Sequence, residues 1–551
     1  MINKLQLFFD TVRCMRPGQI CSMIARPVLS KRAYHIGTEA AETIVQHARE
    51  RSAVAVPPID EDPAFLSRFS YLEIREHRFT FLHESHRVDL QTWHADASPL
   101  WVFNLHYFEY GLFLAQRWNA DADEEAYETF KELVSTWIAA TRPEDPSWHP
   151  YPSSLRIVNW LICVSAFGER LKSDREFYRD MLISLYRQYR TLRLRQETWL
   201  LANHYFENLF AITAASDFFC EDTVRDKYCR KLRLEAERQV LSDGAHFERS
   251  PMYHKIILTD LLRLRNLAAQ DGFPDCSWLD PLLGKMRRAM ELMDGPDGRI
   301  PLFNDSGNNV SRSSTALTAA LNAFGIAAAK IAQLDCAGYY RLTVGHASVL
   351  FDGGEIGPMY MPGHGHCDCL SFELALDGKA VFVNSGTYQY QGSMRSYFRS
   401  VKAHNTVMLD GEEQSQCWGE HRVAKRIRAV RASVEENTFC GQYLSYHGRL
   451  HRRIVVMDEH TMTVSDEAEN AHRAESFLHI ADGYRVNDRL EIMAGNVRIA
   501  SVQPLGCEAK IFRDGELTRY APNFGELRTG TCIRFQWSAE DTGTHGYRIH
   551  Y

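Results

Sequence analysis

Between His364 and Asn405 the chain reads His364-Gly-His366-Cys367-Asp368-Cys369, then a strand-like run over 371–376, then Asn384-Ser-Gly-Thr-Tyr388 with Tyr390 just beyond, and it closes on His404-Asn405-Thr406. Three imidazoles, two phenols and an amide on what read as neighbouring strands can converge on one site. Together they supply a base and an acid for moving protons, and nitrogen and oxygen ligands for a divalent cation. The chemistry is expected here.

A second polar set lies upstream. Asn203 and His204 open an apolar helical stretch (Leu209, Phe210, Ile212), where an amide and an imidazole either face a cleft or simply cap the helix. Tyr253 follows Ser250-Pro251 at another helix start, after His246 and Arg249; a packed ring with a wet hydroxyl is the plainer reading. Asn104 and His106, and Trp148 beside His149, join aromatic faces to polar edges as sugar-stacking subsites do, though an aromatic core with one exposed edge explains them as well. Trp418 sits in the polar run 412–422, a subsite wall or a solvated loop, and 304–309 is a cleft loop or plain turn chemistry. Arg156, His246, Arg249, Arg299, Arg395 and Arg399 lie near these segments and would suffice for a local basic groove.

Two scaffolds must position these groups. From about residue 120 to 332, apolar residues recur at helical steps of three and four: Tyr127, Phe130, Val134 and Trp137; Leu155, Val158 and Ile162; Leu182, Leu185, Tyr189 and Leu192. After Ala337 the period becomes two, with Phe372, Leu374 and Leu376, the hairpin signal Asp377-Gly378, then Val381 and Val383. Further strands are expected over 341–351, 406–409, 453–457 and 461–464, in stacked antiparallel sheets. The expected division is a helical extension over 1–75, a helical domain over 76–335 and a β domain over 336–551.

A chain of 551 residues is too long for one ordinary core, and 45% hydrophobic with 24% charged residues matches a globular protein. A net charge of −7 argues against nucleic acid. The thirteen cysteines are odd in number and lack a repeated spacing, which disfavours a disulfide framework and suggests a reducing compartment. Lys4, Asp10, Arg13 and Arg16 interrupt any N-terminal apolar run long enough for a signal core or a membrane span. A cytoplasmic location without a membrane partner is the expectation, with a periplasmic or secreted one the alternative if a signal was removed. His-Glu-x-x-His, P-loop and Cys-x-x-Cys motifs are missing, which removes the common zinc-peptidase, nucleotide and redox readings.

Taken together, Asn203-His204-Tyr205, Arg249-Ser-Pro-Met-Tyr253, Gly363-His-Gly-His366-Cys-Asp368, Ser385-Gly-Thr-Tyr388 and His404-Asn-Thr406 resemble the hallmark segments of the heparinase II/III-like polysaccharide lyases, a family that also includes alginate lyases. The resemblance runs from about Asn104 to Asp410. It implies an α+β multidomain fold, an incomplete (α/α) toroid followed by an antiparallel β-sandwich domain, with an acidic polysaccharide as substrate and no organic cofactor.

Elimination from a uronate removes a proton beside a carboxylate, so that carboxylate must first be neutralised by donors, as in an oxyanion hole. By resemblance Asn203 and His204 take this task. Tyr253 is assigned as the acid, and as the base too in a syn elimination; His364 is the base when the proton lies on the other face. Tyr388 or Tyr390 is expected to assist. Family members often hold a divalent ion, zinc or manganese, whose matching positions here are His366, Asn384 and His404. Asn384 stands where a carboxylate is expected, which lowers affinity unless Asp368 compensates. The ion would brace the loop near His364. The resulting expectation is a lyase that cleaves heparan sulfate, hyaluronan or chondroitin sulfate by β-elimination, with alginate or a bacterial exopolysaccharide next. Two rivals stand beside it: a glycoside hydrolase using opposed carboxylates from among Asp243, Glu248, Asp305 and Glu373, and a non-catalytic glycan-binding protein on the same fold.

Overall fold

A computed structural model describes residues 4–35, 43–44, 46, 48, 54–541 and 543–551. Of the extension expected over 1–75, residues 1–3, 36–42, 45, 47 and 49–53 lie outside the described residues.

The helical half is built on the stripes read above. Tyr127, Phe130, Val134 and Trp137 are buried along helix Glu124–Ala140, and Leu182, Leu185, Tyr189 and Leu192 along Arg175–Arg195. Each such side chain withdraws enough apolar surface to stabilise the fold by about 2 kcal/mol. Helix Pro150–Ser173 packs on Glu109–Asp121, Arg175–Arg195 and Ala202–Phe218, and the last of these packs on Asp222–Gln239 and Pro251–Leu267. Helices Leu279–Met293 and Ser314–Ala323 complete the toroid-type layer.

The period-two segments form two eight-stranded antiparallel sheets. One runs from Tyr339–Val344 through Ala347–Asp352, Phe372–Leu376 and Lys379–Phe382 to Arg473–Ile480, Thr531–Ser538 and Glu508–Phe512, with Val407–Leu409 paired on Arg473–Ile480. The other is a meander, Arg428–Glu435, Thr438–Leu444, Leu450–Met457 and Thr461–Glu469, continued by His545–His550, Val497–Leu505, Glu491–Ala494 and Arg485–Val486. Their inward faces share one apolar core that includes Phe351, Phe372, Phe439, Val464 and Ile533. The stretch expected as one strand over 341–351 is a hairpin, because Gly345 at φ 58° turns the chain. Asp377 and Gly378, both at positive φ, make the tight turn their sequence predicts.

The two halves are stitched by polar groups. Arg341 donates to the carbonyls of Leu292, Met293 and Asp294, satisfying the last turn of helix Leu279–Met293 from the sheet edge. The N-terminal helices Lys4–Val12 and Pro17–Leu29 also bridge them: Trp418 Nε1 donates to Thr11 Oγ1, Gln19 donates to the Tyr360 carbonyl, and Ser22 meets Thr198.

Candidate active site

The site forms where three helical-domain segments meet the β domain. Leu201 and Ala202 stand at φ 63° and 52° immediately before Asn203, Arg249 at 58° before the Ser250 cap, and Asn304 at 53° before Asp305. Non-glycine residues in this region cost roughly 1–3 kcal/mol each, and such strain clusters at functional sites. The Ser250 hydroxyl accepts from Tyr253 N and donates to the Asp305 carbonyl, which fixes Tyr253 on the first turn of helix Pro251–Leu267 and ties it to the next loop. The His-Gly-His segment is not the strand that was expected. It is irregular backbone ahead of strand Phe372–Leu376, and it passes so close to Ile356 that a Cβ on Gly365 would lie 2.0 Å from the Ile356 carbonyl oxygen, which only glycine allows.

Within this frame Asn203, Tyr253 and His364 share one site. Asn203 Nδ2 lies 3.1 and 2.9 Å from the two Glu248 oxygens and 3.4 Å from His364 Nε2. The Tyr253 ring packs on the His364 ring with centroids 4.0 Å apart, and its hydroxyl is 2.8 Å from that of Tyr390. Asp305 anchors the far side: Oδ2 is 2.9 Å from His364 Nδ1, Oδ1 is 2.9 Å from His366 Nε2, and the Arg395 guanidinium pairs with both oxygens.

Electrostatics follow from burial and pairing. Burial alone would raise Asp305, but Arg395 and the two imidazoles hold its carboxyl well below the ordinary range. A permanent carboxylate makes His364 Nδ1 a donor, which leaves the Nε2 lone pair directed to Asn203 and the cleft. Burial pushes the Tyr253 hydroxyl up, keeping the phenol protonated, and raises Glu248 as well.

Behind this lies a second cluster. His366, Asp368 and His404 are buried with one ligand atom each, all within 4.8 Å of one another. His366 Nε2 faces Asp305 and His404 Nε2 faces the Phe398 carbonyl, so both rings are left with Nδ1 unpartnered. Burial pushes Asp368 up to about 7 and His366 down to about 4. Two inward lone pairs and a carboxylate that resists carrying charge alone fit a divalent cation. Asn384, expected as a third ligand, accepts from Asn405 N through Oδ1 and leaves its buried Nδ2 without a partner, while Asp368 supplies the carboxylate beside the two histidines.

Several residues expected to bind substrate are engaged within the protein itself. Arg156 is 0% exposed, donates to the His106 and Ser147 carbonyls and to Gln188, and stacks on Trp137. His106 is buried against Trp137, and Trp148 stacks on the same ring. Asn104 donates within its own helix to the Leu100 carbonyl. His246 is buried between Gln239 and Glu248. Arg249 reaches the Glu355 and Cys336 carbonyls as a domain clamp, Arg395 neutralises Asp305, and Arg399 holds the Gly365 and Glu420 carbonyls. Trp418 binds Thr11 under the Arg422 guanidinium. Of the two β-domain tyrosines, Tyr390 meets Tyr253, whereas Tyr388 packs beside Phe398. His204 does face this region: its ring lies on Tyr151 and its Nδ1 is 3.1 Å from Glu197 Oε1.

Sequence reasoning offered Asp305 and Glu248 only to the hydrolase rival, placed His421 only within the run 412–422, and did not single out Glu197. His421 packs against Tyr390 and His364. The available signal was positional: each carboxylate adjoins a turn next to a motif already singled out.

Residues 32–328 match the family model described as Heparinase II/III N-terminus, and residues 327–524 match Heparinase II/III-like, C-terminal. Among curated relatives, the chain is 22% identical over 425 residues to a heparin-sulfate lyase of Bacteroides thetaiotaomicron, covering 65% of this chain and 58% of that protein. It is 23% identical over 358 residues to a heparin-sulfate lyase of Pedobacter heparinus, covering 56% and 52%. The matches thus span a little over half the length of these relatives. Among solved structures, heparinase III superposes with a TM-score of 0.72 at 18% identity, covering 93% of this chain and 89% of that one. A heparan sulfate lyase of Pedobacter heparinus gives 0.57 at 18% identity, covering 93% and 88%.

Proposed function

Since this chain belongs to the heparinase II/III-like family, we propose that it is a polysaccharide lyase that cleaves a uronic-acid-containing glycosaminoglycan by β-elimination. The observation that carries this reading is the meeting of Asn203, Tyr253 and His364 in one site. Asn203 Nδ2 lies against both Glu248 oxygens and His364 Nε2, and in the reaction it turns from these to an incoming carboxylate. His204 on the same helix start, its Nδ1 held by Glu197, adds a donor through Nε2 when its ring is protonated. With that charge quenched, the C5 proton becomes removable, and His364 Nε2 is the available lone pair. Tyr253, held protonated, delivers its proton to the departing glycosidic oxygen and can recover one from Tyr390 at 2.8 Å. Only 7% of Tyr253 and 6% of His364 is exposed, so the groove must widen to admit a sugar.

His366, Asp368 and His404 would hold a divalent cation, zinc or manganese, whose charge when bound braces the loop carrying His364. The hydrolase rival finds no pair of opposed, unengaged carboxylates: Asp243 accepts from Cys336 N and Ala337 N, Glu373 from Leu302 N and Asn384 N, Asp305 is neutralised, and Glu248 faces Asn203.

The test is an absorbance screen of the purified protein against heparan sulfate, hyaluronan, chondroitin sulfate, alginate and bacterial exopolysaccharides. Elimination creates a conjugated double bond that absorbs in the ultraviolet. New reducing ends without new absorbance would mean hydrolysis, and binding without either would mean a glycan-binding protein.

A further inference from the structure

The N-terminal helices Lys4–Val12 and Pro17–Leu29 are anchored on one side and turned outward on the other. Leu7 and Gln19 are their buried residues, and Thr11 and Gln19 make the bonds to Trp418 and Tyr360. The outer side is apolar: Phe8 and Phe9 on the first helix, Met23, Ile24 and Val28 on the second, with Phe9 66%, Ile24 76% and Val28 66% exposed. Six of the thirteen exposed large hydrophobic residues among the described residues fall between Leu5 and Val28. A single exposed leucine needs no explanation, but such a concentration marks a surface that meets something apolar.

Charge selects the occupant. Lys4, Arg13, Lys31 and Arg32 are exposed with only Asp10 as an acid in this stretch, Arg16 and Arg26 lying on the Tyr360 and Trp199 rings, while the whole chain carries a net charge of −7. An isologous contact with a second copy would set one cationic patch against another. A bilayer surface bearing acidic headgroups accepts both features, apolar side chains at the acyl boundary and cations among the phosphates. We propose that this helix pair docks the protein on an anionic lipid membrane.

None of the described helices is long and apolar enough to cross a membrane, so the docking is peripheral. The expectation of no membrane partner rested on the lack of a long apolar run, which a surface-lying helix does not need. Through Thr11 on their anchored side and Trp418 the two helices join the run carrying His421, which packs on Tyr390, so docking would orient the catalytic groove relative to the bilayer.

The test is co-sedimentation of the full chain with vesicles of phosphatidylglycerol and phosphatidylcholine, and with vesicles of phosphatidylcholine alone. The expected result is binding to the anionic vesicles only, weakened by salt. Phe9→Ser, Ile24→Ser and Val28→Ser combined should lower it on the order of a hundredfold. Lys4→Glu, Arg13→Glu and Lys31→Glu, all at exposed positions, should abolish it and keep the test decisive if the serine variant misfolds. Failure to bind anionic vesicles, or binding indifferent to both variants, overturns the proposal. So does a dimer in light scattering that the serine substitutions dissociate while vesicles go unbound.

Discussion

Asp305 holds His364 by its inner nitrogen, with Oδ2 2.9 Å from Nδ1. The contact fixes one tautomer and leaves Nε2 as the lone pair facing the cleft. Asp305→Asn keeps the shape but leaves the buried Arg395 without its counter-charge, and its amide N–H can turn toward Nδ1 and favour the other tautomer. Turnover should fall roughly a hundredfold or more with little change in KM. Steady-state kinetics on the uronate polymer found in the screen measures this, and a variant within a factor of two or so of wild type would remove Asp305 from the mechanism.

Tyr253 and Tyr390 share a hydroxyl contact, yet their replacements should behave differently. Tyr253→Phe deletes the proton donor and should lower turnover on the order of 10³-fold while substrate still binds. Tyr390→Phe removes only the relay partner, and solvent can restore the proton, so about tenfold is expected. Equal losses in both would mean that the acid had been assigned to the wrong ring.

Asn203→Ala should depress the chemical step by about 10²–10³-fold, the usual cost of losing one preorganised donor. A neutral, uronate-free analogue of the substrate should bind both proteins equally, because the amide acts on the carboxylate. Calorimetry with such an analogue separates that role from collapse of the strained Leu201-Ala202 turn.

The helix stripes and the strand alternation were legible because each depends on residues a few positions apart. Tyr127, Phe130, Val134 and Trp137 carry their own periodicity, and Asp377-Gly378 carries its own turn. The cast of the site was legible for the same reason, as short motifs. Pairing was not legible. Arg156, Arg395 and Arg399 looked like a basic groove, yet each is buried against acceptors remote in sequence. Asp305 reads as a loop residue until two imidazoles and a guanidinium from another domain arrive around it. Asp368 was legible only as a substitute for a missing carboxylate; that it lies within 4.8 Å of the His366 and His404 nitrogens depends on the irregular path of its loop.

A divalent ion on His366, Asp368 and His404 predicts a measurable metal. Elemental analysis of protein dialysed against zinc or manganese should give one equivalent, and His404→Ala or Asp368→Asn should reduce it to background. An ion present at a hundredfold excess over Kd would stabilise the fold by about 2.7 kcal/mol. Chelation should therefore lower Tm in wild type and leave the His404→Ala variant unmoved. Undiminished metal in both variants would relocate the site.

The sandwich contains a buried charge cluster whose acid dependence can be worked out. Arg453 and Asp466 are register partners on adjacent strands, joined by two hydrogen bonds of 2.7 and 2.9 Å, and His451 lies 2.9 Å from Asp466. Burial opposes ionisation of Asp466, but the Arg453 charge and the His451 and Arg453 hydrogen bonds outweigh it and bring the carboxyl down to about 2, from 3.8. A folded-state pKa below the unfolded one gives stability that is present in full above the unfolded value and lost as pH falls through the folded value. The difference corresponds to about 2 kcal/mol, realised near neutrality and gone near pH 2. Asp466→Asn leaves Arg453 buried without its counter-charge, so it should cost about 3–5 kcal/mol at neutral pH. Urea melts of the two proteins at successive pH values should show their stabilities converging only below the ordinary carboxylate range. A stability difference that stays constant as pH falls from 5 to 2 would mean that Asp466 titrates normally and that the Arg453 pair does not hold its proton off.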